Sequence, residues 1–161
     1  MAQVGSISPD ARTDIGSGSS VYMVRTEIQS FFVNADVNIV AGDWVAIDIA
    51  QSGNAISNAV IPAEAVADGN ALVIGVALDS TVAAPDGYAV EFSQIRVCTA
   101  GYCAVAKVTA SIAAGVALIV GSGAAATGEV AAATDLTRAI GATLAADSGA
   151  TGFAPVCVYK A

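Results

Sequence analysis

Along most of this chain apolar and polar positions alternate with a period of two, the spacing at which successive side chains point to opposite faces of a strand. Val45, Ile47 and Ile49 alternate with Ala46, Asp48 and Ala50 after an Ala41-Gly42-Asp43 turn. Leu72, Ile74, Val76 and Leu78 share one face, and Val73, Gly75, Ala77 and Asp79 the other, which predicts a strand closely approached where Gly75 leaves room. Val21 to Thr26 reads as a strand. Tyr88, Val90 and Phe92 form a further apolar face whose phase slips at Ser93-Gln94 before Ile95 and Val97 resume it. A one-residue slip turns every later side chain over, so a β-bulge or strand bend is predicted there. Residues 102–108, 116–120, 128–133, 140–145 and 153–159 complete a string of short strands punctuated by Gly, Asp and Ser. Helical spacing is almost absent, and only Pro62 to Ala67 suits a turn of helix. The predicted fold is all-β, a compact β-barrel or sandwich of short strands.

The pattern is also written twice. Ile39-Val40-Ala41-Gly42, then Val45, and later Ile74-Gly75-Val76-Ala77-Leu78 are echoed by Ile112-Ala113-Ala114-Gly115, then Leu118, and later Ile140-Gly141-Ala142-Thr143-Leu144. A glycine turn entering an apolar strand, followed after a variable loop by an Ile-Gly strand, is how a duplicated β unit looks in sequence. Superposed halves should bring Ile39 onto Ile112 and Ile74 onto Ile140.

Two regions follow from this. Residues 1–34 form an extended N-terminal arm and lead-in strand, linker-like at Gly5 to Asp10 and Gly16 to Ser20. The β-rich domain with its internal pseudo-repeat spans 35–161. The first twenty or so residues read either as a disordered tail or as an arm that orders on a neighbour, with Val4, Ile7 and Ile15 spaced as its pegs.

Composition narrows the function. Apolar residues make up 55% but aromatics only 6%, so Ala and Val supply the bulk, and such a thin core favours association with neighbours. Fourteen acidic residues against six basic ones leave a net charge of −8. The six basic residues are scattered singly, which argues against nucleic acid or an anionic membrane as partner. His is absent, removing the commonest general base and zinc ligand together. No secretion signal opens the chain, and the uncharged stretch 108–128 is broken by glycines into a strand-sized run and a turn.

The remaining chemistry is sparse. Cys98, Cys103 and Cys157 lack metal-ligand spacing and read as free thiols or, for the first two, a bridge across a tight turn. Gly121 to Gly128 has no Lys and leads into a strand, which makes it a turn rather than a phosphate loop. Asp43 with Asp48, and Glu64 with Asp68, read as solvated turn residues. Phe31, Phe32 and Trp44 stand out in an aromatic-poor chain, either anchoring the core or packing into a subunit contact. No catalytic residue, metal or cofactor is predicted. The interface candidates are Val4, Ile7, Ile15, Phe31, Phe32 and Trp44.

Taken in order, "VAGDWVAIDIAQSGNAI", "VIGVALDS", "AVEFSQIRV", "SIAAGVALIVGSGAAATGEVAAA" and "AIGATLAADSGATGFAPVCVYKA" resemble the small Gly/Ala-rich decoration, or cement, proteins of tailed-bacteriophage capsids. The resemblance covers roughly Ala35 to Ala161. It implies a β-tulip-like fold, no enzyme activity, and a structural virion protein made in the host cytoplasm. Such a protein binds the outer capsid surface and cements contacts between capsomers of the major capsid protein. It further implies a homotrimer, with no nucleic acid, membrane or small-molecule substrate. The competing reading is a receptor- or glycan-binding β module, such as a head-fibre or adhesin base.

Overall fold

A computed structural model describes residues 13–14, 20–21, 26–34, 37–49, 58–63, 72–81, 92–120, 128–133, 139–147 and 152–159. Among the described residues there are eleven strands and no helix. Two short strands, β1 (Thr13–Asp14) and β2 (Ser20–Val21), pair only with each other. The other nine form one antiparallel sheet: β3 (Glu27–Asn34), β4 (Trp44–Ile47), β5 (Val60–Pro62), β6 (Val73–Ala77), β7 (Phe92–Lys107), β8 (Ala117–Ile119), β9 (Ala131–Ala132), β10 (Gly141–Thr143) and β11 (Phe153–Val158). Pro62–Ala63 ends β5 rather than opening a helix.

The sheet runs β5-β4-β6-β7-β11-β10-β8-β9, with β3 also on β7. The 16-residue β7 organises it. Its first half, Phe92 to Ala100, pairs with β3 and β6, and its second half, Gly101 to Lys107, pairs with β11. The ladder therefore divides into two five-stranded units, β5-β4-β6-β7-β3 and β9-β8-β10-β11-β7, that share this one strand. Each unit closes on itself through an isolated parallel bridge, Phe32 to Ala59 in the first and Val108 to Val130 in the second. The result is two small barrels in tandem, and closure removes the long open edges that an antiparallel sheet would otherwise expose.

Several backbone hydrogen bonds and register pairs recur in both barrels. Gly42 N–H donates to Ala77 O and Gly115 N–H to Thr143 O, both at 2.8 Å. Ala77 N–H donates to Asp43 O at 2.8 Å, and Thr143 N–H to Val116 O at 2.9 Å. Thr81 N–H meets Ile39 O at 2.8 Å where Asp147 N–H meets Ile112 O at 3.0 Å. Val45 faces Gly75 across β4 and β6, as Leu118 faces Gly141 across β8 and β10. Gly42 and Gly115 turn the chain with φ of 99° and 75°, a region that a Cβ makes costly. At Gly75 and Gly141 the requirement is room, since a Cβ would run into the carbonyls of Cys98 and Cys157 respectively.

Side chains from alternate positions fill the cores. Phe31, Val33, Ile39, Val45, Val60, Ala77, Ile95 and Val97 pack inside the first barrel. Leu118, Val120, Val130, Val156 and Val158 pack in the second, in a cluster that continues into the joint with Trp44, Ala46, Val73, Val76 and Cys98. Each fully buried Val or Leu contributes about 1.5–3 kcal/mol relative to exposure.

Two sequence expectations need correction. The β3–β7 register is unbroken from Phe92 to Cys98 and shifts opposite Glu27/Ile28, so the irregularity lies at Thr99, not at Ser93-Gln94. That is where β7 leaves one barrel for the other, and a bulge supplies the bend. The strand 72–78 does not alternate strictly either: β4 and β6 shift register at Ile74, which joins Ala77 on the first core while Val73, Val76 and Leu78 face the joint.

Candidate interaction surface

The sequence motif Gly42-Asp43-Trp44 forms the joint between the barrels. Lys107 N–H donates to Gly42 O at 2.8 Å, Trp44 N–H to Gly128 O at 2.9 Å, and Gly128 N–H to Ala63 O at 2.8 Å. The Trp44 indole, fully buried, donates from Nε1 to Lys107 O at 3.1 Å. Asp43 is buried as well, rather than solvated as its turn position suggests. Its Oδ2 accepts Val40 N–H at 2.8 Å, locking the turn, and its Oδ1 accepts from Lys107 Nζ at 3.2 Å. A carboxylate is tolerated there because a backbone donor and a cation both reach it.

This joint covers one wall of the first barrel. Trp44, Ala46, Val76 and Cys98 point outward from that barrel and are fully shielded by the second. By the matched registers, their counterparts on the second barrel are Ala117, Ile119, Ala142 and Cys157. These four are only half-buried. Tyr102, Cys157, Ala142 and Ala117 lie in one row across four strands, with Val105, Leu144 and Phe153 exposed beside them. The turn glycines show the same asymmetry: a Cβ on Gly42 would meet the Phe153 ring at 3.0 Å and Val105 at 3.7 Å, whereas one on Gly115 would meet nothing within 4 Å. The second barrel thus presents a bare, uncharged wall where the first is covered.

Charge sits elsewhere. Asp79 and Arg96 form a two-pronged pair on the outside of the first barrel, Nε to Oδ2 at 2.9 Å and Nη2 to Oδ1 at 2.8 Å. Those hydrogen bonds hold the Asp79 carboxyl down to about 2 from its ordinary 3.8. All three cysteines are free. The Cys98 thiol donates to Ala100 O at 3.6 Å and the Cys103 thiol to Val105 O at 3.3 Å, and the closeness of the two thiols pushes Cys98 up and draws Cys103 down. Among the described residues no three His, Cys, Asp or Glu side chains gather as a metal site requires. No helix among them is long and apolar enough to cross a membrane.

The six sequence candidates scatter. Val4, Ile7 and Ile15, like Glu64 and Asp68, lie outside the described residues. Phe31 fills the first core, and Trp44 lies wholly within the joint, leaving a partner no surface to touch. Phe32 is 46% exposed on the outside of the first barrel. The bare wall was missed, although β11 carries its signal: Phe153-Ala154-Pro155-Val156-Cys157-Val158-Tyr159 is apolar on both faces. A strand of that kind is either buried on both sides or keeps one side for a partner.

The architecture defines a class: a tandem β-barrel module of two five-stranded units that share one long strand. The fold recurs in the N base of the head fibre protein gp8.5 of bacteriophage phi29, whose crystal structure this chain matches with a TM-score of 0.54 at 16% sequence identity, over 82% of this chain and 94% of that one. No protein-family profile and no curated protein sequence matches the chain.

Proposed function

We propose that this chain is a structural virion protein, not an enzyme, carried on the outer surface of a tailed-phage capsid, where it cements contacts between capsomers of the major capsid protein. The observation that carries the reading is the fold shared with a phage head fibre base over nearly that structure's whole length. The ordered motifs between Ala35 and Ala161 that resemble capsid decoration proteins support it independently. The subunit is read as a homotrimer, each copy touching more than one major capsid protein. A second reading, favoured by the name of the phi29 structure, makes the chain the base of a projecting head fibre or another receptor- or glycan-binding module.

Add-back to capsids of a phage deleted for this protein separates the readings. A cement adds density across capsomer joints in cryo-electron microscopy and raises the temperature at which the shells release DNA. A fibre base adds density without raising that temperature. Shells that acquire no density at all refute both.

A further inference from the structure

The bare wall of the second barrel has a covered counterpart in the same molecule, and that comparison says what belongs on it. Where the first barrel carries Trp44, Ala46, Val76 and Cys98, a barrel of this very chain lies against them. The second barrel repeats the wall in Ala117, Ile119, Ala142 and Cys157, which are only half-buried among the described residues, and enlarges it with exposed Tyr102 and Leu144.

We propose that a second copy of this chain covers the bare wall of the second barrel. One observation favours another copy over a different partner. The wall continues an established interface, being the second instance of a surface that already receives this fold. The proposal deepens the oligomeric subunit read above by naming the surface that joins its copies.

The test uses the full chain in solution. Light scattering at micromolar concentration should give a mass that is a multiple of the 15.8 kDa subunit. Tyr102→Glu with Leu144→Glu places two charges on half-exposed positions, where folding tolerates them. This double variant should fall to the single-subunit mass while keeping its circular dichroism spectrum and melting temperature. Gln94→Glu, exposed on the first barrel, should stay associated. A wild-type chain of single-subunit mass overturns the proposal, as does a double variant that still associates.

If the double variant fails to fold, Cys157 decides. Its half-buried thiol sits within the row of wall residues, and its alkylation by iodoacetamide should slow as wild-type concentration rises. A rate independent of concentration overturns the proposal. Capsid occupancy of the double variant is scored separately. Lost association with capsid binding retained supports the proposal, whereas lost capsid binding with association intact overturns it and leaves the virion reading standing.

Discussion

Trp44→Ala should be the most damaging single truncation in the molecule, and its effect can be worked out from the joint. The indole is fully buried between the barrels, in one apolar cluster with Val73, Val158 and the adjoining Ile140. A buried Trp hides ~150–250 Å², so at ~25 cal/mol per Å² its removal forfeits about 4–6 kcal/mol. Cutting Trp44 back also strips the Lys107 carbonyl of the Nε1–H donor that it accepts at 3.1 Å, a group that costs roughly 1–3 kcal/mol when left unpaired. Partial collapse of the site recovers some of this, which places the net loss near the 3–5 kcal/mol typical of large aromatic deletions. For a chain of this size each kcal/mol moves the melting temperature by about 2–4 °C, so a drop of roughly 10–15 °C is expected. Trp44→Phe keeps most of the area and loses the donor, and should fall about 1–3 kcal/mol short of wild type. Urea unfolding followed by far-ultraviolet circular dichroism measures both. Trp44 is the only tryptophan, so wild-type fluorescence reports the joint directly. A Trp44→Ala loss below ~1 kcal/mol, the usual range of surface changes, would refute the reasoning that the joint is a load shared by both barrels.

Two further outcomes follow from the same geometry. Gly115→Ala should cost about 1–2 kcal/mol from its left-handed backbone alone, because open space surrounds the added methyl; Gly42→Ala should cost more, since it must also displace the Phe153 ring, and equal melting-temperature losses would contradict the asymmetry between the turns. Asp79 has a folded pKa below its unfolded value, so its pair with Arg96 contributes stability above pH 3.8 that is lost as pH falls toward about 2. Replacing it by Asn should flatten the fall of melting temperature across that acid window and leave its pH dependence above the window unchanged.

Much of the fold was legible because it rests on local rules. Period-two alternation marks β4, short runs punctuated by Gly, Asp and Ser mark β8, β10 and β11, and the glycine turns at Gly42 and Gly115 announce where β4 and β8 begin, since few other residues accept that backbone. The twofold Ile-x-Ala-Gly and Ile-Gly pattern reads out matched positions because equivalent turns and close approaches demand equivalent residues. What tertiary structure alone decided is how the two copies join. Nothing local in Phe92 to Lys107 says that one strand serves two barrels, or that its bulge falls at Thr99, because both depend on where β3 and β11 lie against it. Asp43 looks like a solvated turn acid, and Trp44 like either a core anchor or a subunit contact, until Lys107 and Gly128, more than sixty residues away, close over them. The bare wall is the converse case: its residues are the same small apolar types as the covered one, and only the packing of one barrel on the other reveals which copy is left exposed.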